Sequence, residues 1–333
     1  MRTFTEGLLN NTWVSIMAFL QKHPAVAFAL ILLAAMGLTA TAPAANSAQT
    51  SAPKGACWTS LTFNASRLLA KLTIQIRIQS PAPQNDGLLA RAGAGLTEST
   101  ETLKKMKLMA VDLQASGQTF LDEQYSEKIW FNATDGRAYR RIRFMKGGKS
   151  WVKIYSWTDQ GVRRQKMQPA GRYERNAPPV KWTGTKESFY HYPKNAALAR
   201  PIADPTYLLY LLSAVEPQNV KSPFELLVFG KEQLHRLICR RENSLPLAVS
   251  FKTRSSGGGS GNSVAATISP IVFSVTADSF PYRGKEPEVF SLFGLERDIR
   301  IHLDPATHLP IRISGKNPLW GELVLDLSEA QLP

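Results

Sequence analysis

The sequence predicts a mainly β protein, in which a curled antiparallel sheet forms a barrel or half-barrel with one short lid or plug helix. Two observations support this fold class. Segments in which apolar and polar residues alternate recur along residues 67–333, and alternation is the period of a half-buried strand. Turn sequences separate these segments, among them Asp135-Gly136 and Gly147-Gly148. Such pairs between alternating runs are strong hairpin signals, and many short strands at hairpin spacing favour a barrel-like sheet.

Length and composition exclude several classes of protein. The chain has 333 residues, of which 44% are hydrophobic, so it is long and apolar enough to bury a sizeable core. A mean hydropathy of −0.18 argues against a multispan membrane protein. Two cysteines are too few for a disulfide-dense scaffold. The formal net charge of +14 points to anionic partners.

The N-terminal residues 1–44 have the order of a secretory signal peptide. Lys22 precedes the uncharged apolar run Ala25–Leu38, and the small-residue sequence Ala42-Pro43-Ala44 follows it. Positive, apolar and small segments in this order direct export and cleavage. We therefore expect cleavage near Ala44 and a periplasmic protein of a Gram-negative bacterium. The alternative is an uncleaved anchor in the inner membrane, formed by residues 25–42.

The rest of the chain is predicted to be a flexible tether, residues 45–66, followed by a single antiparallel β domain, residues 67–333. Ala45–Gly55 is rich in Ala, Ser, Thr and Pro, as is typical of a tether. Ser80–Thr100 is a second stretch of this kind, and the Gly-rich segment Ser255–Asn262 is predicted to be a mobile hairpin loop.

The strands of the β domain follow from the alternating segments and the turns between them. In chain order the predicted strands are Leu72–Ile78, Lys104–Leu113, Lys128–Asn132, Ala138–Met145, Trp151–Trp157, Val162–Met167, Phe224–Phe229, Gln233–Arg240, Leu247–Thr253, Ala265–Val275, Val289–Phe293, Asp298–Leu303, Leu309–Ser314 and Gly321–Leu327.

The segment Asp204–Val215 departs from the strand period and predicts a helix. Asp204 suits the N-cap position and Pro205 the first helical position, while Pro217 ends the segment. The helix is apolar nearly all round, so it must be covered by other parts of the protein. It is expected to fill the concave side of the curled sheet, either as core or as a lid that a ligand displaces.

Cys57 and Cys239 are both retained after export, so one disulfide between them is a candidate. The alternative is two separate buried thiols, because sequence spacing says nothing about their proximity.

The most unusual feature is a basic and aromatic face on the predicted hairpins between residues 137 and 166. Because side chains alternate across a strand, one face collects rings and cations from neighbouring strands. These candidate ligand-binding residues are Tyr139, Arg141, Arg143, Trp151, Lys153, Tyr155 and Trp157. Rings interleaved with cations bind anions, and flat rings also stack on sugars. The alternative is that the rings are core and the arginine stems only cover them.

The sequence contains no hydrolase elbow, zinc-protease motif, phosphate loop or Cys-x-x-Cys pair. Tyr190-His191-Tyr192 is assigned to an irregular loop and is a weak candidate for cation binding or ring stacking. His302 lies between Asp298 and Asp304 on one strand face, where a solvated sheet surface is the simpler interpretation. We therefore predict no catalytic residues, no cofactor and no metal site.

Three stretches resemble the exported bacterial family called domain of unknown function 3108. They are the helix start Asp204–Tyr210, the strand pair around Val228–Lys231 and Leu237–Arg241, and the closing hairpin Ile299–Ile313 with its Leu-Pro-Ile-Arg-Ile sequence. The resemblance implies an envelope protein with a curved β-sheet, similar in outline to lipoprotein-carrier half-barrels. It brings no catalytic residues.

These inferences predict a non-enzymatic envelope protein that binds an amphiphilic or anionic envelope component such as lipid, lipopolysaccharide or glycan. Export argues against nucleic acid as a partner, and contact with a membrane surface fits the charge. One alternative is a scaffold that docks on another envelope protein through a sheet edge. Another is a glycan- or lipid-acting enzyme without a recognisable motif.

Overall fold

Strands account for most of the structure, as the alternating sequence pattern predicts. The computed structural model describes residues 55–67, 70–80, 106–117, 120–147, 150–193, 200–216, 220, 222–256, 261–281 and 286–333. All of them belong to one compact unit, Ala48–Pro333. The predicted signal peptide, most of the predicted tether, the Pro- and Gly-containing stretch after Ser80 and the centre of the Gly-rich loop lie outside the described residues.

The described strands, in chain order, are β1 (Ser60–Arg67), β2 (Ala70–Gln79), β3 (Met106–Gly117), β4 (Phe120–Asn132), β5 (Ala138–Lys146), β6 (Trp151–Trp157), β7 (Gly161–Gln168), β8 (Gly184–His191), β9 (Phe224–Phe229), β10 (Leu234–Glu242), β11 (Leu247–Ser255), β12 (Asn262–Ile268), β13 (Ile271–Phe280), β14 (Arg297–Leu303), β15 (Pro310–Asn317) and β16 (Gly321–Leu332). Two short 3₁₀ helices, Arg172–Glu174 and Pro179–Lys181, lie between β7 and β8, and α1 (Tyr207–Ala214) lies between β8 and β9.

All sixteen described strands form one sheet, and nearly all their pairings are antiparallel. The order is β8-β7-β6-β5-β4-β3-β2-β1-β16-β15-β14-β13-β10-β9, with β11 beside β16 in a parallel pairing and β12 beside β11. Among these strands β8 and β9 stand at the two ends, so no backbone ladder closes the sheet. The predicted mainly β fold with a curled antiparallel sheet is therefore confirmed, and the described residues contain one α-helix.

The curl of the sheet brings β5 near the far end strand β9. The short segment before α1 lies between them, because Ala203 pairs with Val228 of β9 while the Ile202 carbonyl accepts a hydrogen bond from the Ala138 amide of β5. A side chain completes the connection, since Arg141 of β5 donates to the Phe229 and Gly230 carbonyls at the end of β9.

Helix α1 packs as part of the main core. Its residues are buried apart from Leu211, which is partly exposed. Tyr207 and Tyr210 both pack edge-on against Phe131 of β4, with ring centroids 5.3 and 5.1 Å away. Ser213 accepts a hydrogen bond of 2.9 Å from the Trp58 indole. These contacts favour the core interpretation of the helix over a displaceable lid.

The closing hairpin has the predicted arrangement. Ile299, Ile301 and Leu303 of β14 are buried, and Ile311 and Ile313 of β15 are buried with them. The opposite face carries exposed charged side chains in ion pairs, such as Arg300 with Glu242 at 3.0 Å.

Four sequence-based boundaries are corrected by the structure. Residues 60–66, assigned to the flexible tether, belong to β1, which pairs with both β2 and β16 and buries Leu61 and Phe63. The predicted strand Ala265–Val275 is two strands, because Pro270 cannot donate to a ladder. Val289–Phe293 is not a strand and contributes only an isolated bridge from Leu292 to Leu295. His191, assigned to a loop, ends strand β8.

Cys57 and Cys239 are free thiols. Of the two alternatives left open by the sequence, the structure therefore contains separate thiols and not the candidate disulfide.

Candidate functional site

Strand register brings most of the predicted basic and aromatic residues onto one face of β5, β6, β7 and β8. Arg141 lies opposite Tyr155, and Arg143 lies opposite Lys153. Cation–π contacts confirm that the side chains meet, since the Arg141 guanidinium is 4.2 Å from the Tyr155 ring centre. We call this surface the basic face.

Tyr139 is an exception to the predicted grouping. The register between β4 and β5 passes from Trp130–Arg140 to Phe131–Ala138, which leaves Tyr139 as the extra residue of a β-bulge. Its ring packs against the core cluster on the opposite side of the sheet, with Ile142 and Trp182. The assignment of Tyr139 to the basic face was therefore wrong, because strict alternation fails at a bulge.

Both Nη atoms of Arg141 are hydrogen-bonded within the fold. Its side chain is 3% exposed and forms an ion pair of 2.8 Å with Asp204, which is 0% exposed. Its Nε lies 3.6 Å from Glu127, and its Nη atoms donate to the carbonyls of Phe229 and Gly230. Burial opposes the guanidinium charge, but Asp204 and Glu127 favour it, and the net effect is a raised pKa. Arg141 thus joins β5, β9 and the segment before α1.

Asp204 serves both that network and the start of the helix. One carboxylate oxygen accepts from Arg141, and the other accepts from the backbone amide and hydroxyl of Thr206 at 2.9 and 2.6 Å. The helix begins at Tyr207 with Thr206 as its N-cap, so the prediction of Asp204 as the N-cap and Pro205 as the first helical residue was wrong. Asp204 instead holds the turn before the helix and forms an ion pair that no local sequence signal indicates.

Tyr155 and Trp157 are also structural. Tyr155 is 0% exposed, and both rings pack against Phe229 of β9, with centroids 6.3 and 6.1 Å from it. Arg164 of β7 lies beside this cluster and forms an ion pair of 2.6 Å with Glu232. For Arg141, Tyr155 and Trp157 the alternative interpretation, rings and arginine stems as core, is the one the structure supports.

Arg143, Trp151 and Lys153, the other predicted residues of the basic face, line a cavity of about 720 Å³. Arg143, Trp151 and Lys153 contribute from β5 and β6, and Lys231 contributes from the turn after β9. The lining also includes the apolar side chains of Val111, Leu113, Leu292 and Phe293. The cavity opens to solvent beside Val289, which is 55% exposed. Its volume lies within the range of small-molecule sites.

Arg143 is held at the wall of this cavity. Its Nε donates to the Tyr125 hydroxyl at 2.6 Å and lies 4.0 Å from Glu127, and its guanidinium stacks 5.3 Å from the Tyr125 ring centre. Tyr125 in turn donates to Glu127. The pKa of the Glu127 carboxyl is raised because burial disfavours its charge more than Arg143 and Arg141 stabilise it.

Among the described residues, Lys153 lines the cavity without an acidic partner. Its ammonium lies 4.4 Å from the Trp151 ring centre, and within the described part of the chain it forms no ion pair. Burial, followed by repulsion from Arg143, Arg164, Lys231 and Lys166, lowers the pKa of Lys153 to about 8.

Four carboxylates line the cavity, and three of them, all but that of Glu296, are engaged elsewhere. Glu127 and Asp204 belong to the arginine network. Glu288 accepts hydrogen bonds from the backbone amides of Lys231 and Glu232 at 2.9 and 2.7 Å. The charged groups that act most on Lys153 are the cations Arg143, Arg164, Lys231 and Lys166.

Sequence reasoning missed Tyr125, Glu127, Lys231 and Glu288. The predicted strand began at Lys128, whereas β4 begins at Phe120. Extending the alternation backwards through Glu127 and Tyr125 would have placed both on the basic face, opposite Arg143 and Met145. Lys231 and Glu288 are brought to the cavity by tertiary contacts that no local pattern indicates.

Other candidates from the sequence lie outside this cavity. His302 is half-buried, and burial with nearby Arg312 and Arg300 lowers its pKa to about 4. His191 packs against Phe189 at the end of β8. Within the described residues, no group of three or more His, Cys, Asp or Glu side chains is arranged to hold a metal ion. In the same residues, no helix is both long and apolar enough to cross a bilayer.

No protein-family model and no curated protein matches the chain. A crystal structure from Brucella abortus, described as a beta-barrel-like protein of domain of unknown function DUF1849, is similar over 85% of this chain and 98% of its own, at 9% sequence identity and a TM-score of 0.41. No residue role transfers from a neighbour at this level of similarity.

Proposed function

We propose that this protein is a non-enzymatic envelope protein that binds an amphiphile with an anionic headgroup in the cavity beside Lys153. The observation that carries the proposal is a lysine, unpaired within the described residues, in a cavity whose lining also includes Arg143, Lys231 and a group of apolar side chains. The envelope location rests on the predicted signal peptide and on the resemblance to the domain of unknown function 3108 family, both of which belong to the proposal.

The charge argument concerns the headgroup. A unit anion about 4 Å from one cation gains roughly 4 kcal/mol at the effective dielectric typical of a protein surface, before its own desolvation is subtracted. Lys153, Arg143 and Lys231 lie around the same space. An anion there also relieves the repulsion among these cations.

The apolar argument concerns the chain of the amphiphile. Val111, Leu113, Leu292 and Phe293 line the cavity. An alkyl chain on these side chains gains roughly 25 cal/mol per Å² of apolar surface removed from water. A purely polar anion would leave this surface unused.

The test compares three single-chain amphiphiles of equal chain length, measured by tryptophan fluorescence and calorimetry: an anionic lysophosphatidylglycerol, a zwitterionic lysophosphatidylcholine and a neutral fatty alcohol. The anionic lipid should bind about 10-fold more tightly, a difference of about 1.4 kcal/mol. The preference should shrink as salt rises above about 0.15 M, while the affinity for the alcohol should not change.

Lys153→Met should abolish most of the preference for the anionic lipid. Lys252→Met is the matched control, since Lys252 is an exposed strand lysine on β11 that does not line the cavity. Equal affinities for the three amphiphiles, or equal effects of the two substitutions, would contradict the proposed function.

A further inference from the structure

The cation beside the cavity is one member of a row. Across β5, β6, β7 and β8 the register pairs Arg143 with Lys153, Lys153 with Lys166, and Lys166 with Lys186. Directly opposed residues lie on the same face of a sheet. We call these four residues the cation row.

The row extends beyond the cavity. Arg143 and Lys153 line the cavity, whereas Lys166 and Lys186 do not. Each step between neighbouring strands is about 5 Å, so the row is about 15 Å long. Exposure increases along it, from Arg143 with a 24% exposed side chain to the exposed Lys186 on the end strand β8.

Repulsion between the opposed lysines of the cation row destabilises the folded sheet, and no ion pair with a described residue offsets it. Like charges directly opposed across strands are destabilising. Within the described part of the chain, Lys153, Lys166 and Lys186 form no ion pair. The acidic residue of β8, Glu187, points to the other face, where it pairs with Arg163 at 3.0 Å. The charges of the three lysines are thus not balanced by an acidic side chain among the described residues.

We propose that the ligand is an amphiphile whose headgroup carries several negative charges spread over about 15 Å, such as the phosphorylated or acidic saccharide head of a glycolipid. This inference rests on the proposed function, because it places the apolar part of the same ligand in the cavity. The charges nearest the chain meet Arg143 and Lys153, and the distal charges meet Lys166 and Lys186. A head with a single charge uses only the first part of the row.

The experiment compares lipopolysaccharide, as a multiply charged glycolipid, with lysophosphatidylglycerol, as a singly charged lipid. The protein variants are Lys186→Glu at the distal end of the row, Lys153→Glu at the cavity, and Lys252→Glu as a control with the same change in net charge. Lys186→Glu should weaken lipopolysaccharide binding about 10-fold and leave lysophosphatidylglycerol binding unchanged. Lys153→Glu should weaken both, and Lys252→Glu neither.

The outcomes separate the two proposals. If Lys186→Glu leaves lipopolysaccharide binding unchanged while Lys153→Glu weakens both ligands, the extended headgroup is overturned and the cavity proposal stands. If neither lipid binds the unsubstituted protein, the proposed function itself fails. Because Lys186 is exposed, its replacement should not prevent folding, and circular dichroism of each variant checks this.

Discussion

Replacing Arg141 by methionine should test how the curled sheet is held together. Arg141 joins β5 to the end of β9 and to the segment before α1, through Asp204 at 2.8 Å and two backbone carbonyls. Methionine keeps much of the side-chain volume and removes the charge and the donors. The buried Asp204 carboxylate then loses its cation, and the Phe229 and Gly230 carbonyls lose a donor.

The expected loss of unfolding free energy is about 3–5 kcal/mol. Removing one partner of a buried ion pair costs about this much, because the other charge remains buried without compensation. Each carbonyl left without a donor adds about 1–3 kcal/mol, less what water can replace. These contributions overlap and are not summed. The loss is large beside a typical domain stability of about 5–15 kcal/mol.

Arg163→Met is the matched control. Arg163 lies on β7 and pairs with Glu187 at 3.0 Å, but both side chains are about half exposed, 51% and 52%. An exposed pair contributes about 0–1 kcal/mol. Equilibrium unfolding in guanidinium chloride measures both variants. Asp204→Asn added to Arg141→Met should recover part of the loss, since it removes the stranded charge. A loss below about 1 kcal/mol for Arg141→Met, or one equal to that of the control, would refute the assigned role.

Three further predictions concern buried groups. Burial raises the pKa of the Cys57 thiol to about 11 and that of Cys239 to about 12. In buffer without reductant at pH 8, both thiols should therefore react with a thiol reagent only after the protein is denatured. A denatured protein with no reactive thiol would show that the two cysteines are bonded. Gly136 has φ +78, and an added Cβ would lie 2.3 Å from the Tyr207 ring. Gly136→Ala should therefore lower the unfolding free energy by about 2 kcal/mol or more. Gly171→Ala is the control and should change the unfolding free energy little, because no atom lies within 4 Å of the added Cβ. Burial lowers the pKa of His235 to about 4. Between the ordinary histidine value and pH 4 the unfolded chain binds a proton that the folded protein does not, so the unfolding free energy should decrease as the pH is lowered, by about 1.4 kcal/mol per pH unit from this residue. His235→Gln should reduce that slope. An unchanged slope in pH-dependent urea unfolding would contradict the last prediction.

The strands that sequence reasoning located well are those whose alternation ends at turn residues. Trp151–Trp157 and Phe224–Phe229 match β6 and β9 at both ends, because Gly and Ser-Pro signals flank them. Strand β8, Gly184–His191, was missed because it is the end strand and is largely exposed. An exposed strand has no apolar side to create alternation.

The composition of the candidate site was predictable only in part. The pairing of Arg143 with Lys153 follows from two strands and the short turn between them. The bulge at Tyr139 leaves no sequence signal, so its displacement to the other side was not foreseeable. The partner of Arg141 is Asp204, 63 residues away, and the curl of the sheet decides that contact.

Two neighbouring rows on the basic face show why charge alone does not identify a ligand site. The first row contains Arg141, Tyr155 and Arg164, and each of its arginines has a carboxylate partner, Asp204 or Glu232, at 2.8 or 2.6 Å. A buried cation needs such a partner, and a cation already paired with a carboxylate has little further to gain from a ligand anion.

The second row, two residues along each strand, runs from Arg143 through Lys153 and Lys166 to Lys186. Its lysines form no ion pair among the described residues, and repulsion from neighbouring cations helps to lower the pKa of Lys153 to about 8. An anion bound along this row would raise that pKa towards its usual value, so binding should take up protons above about pH 8 and weaken as pH rises further. The same alternating sequence therefore supplies one row whose arginines hold the sheet together and one whose three lysines form no ion pair with a described residue. The second row is where binding should depend on both pH and salt.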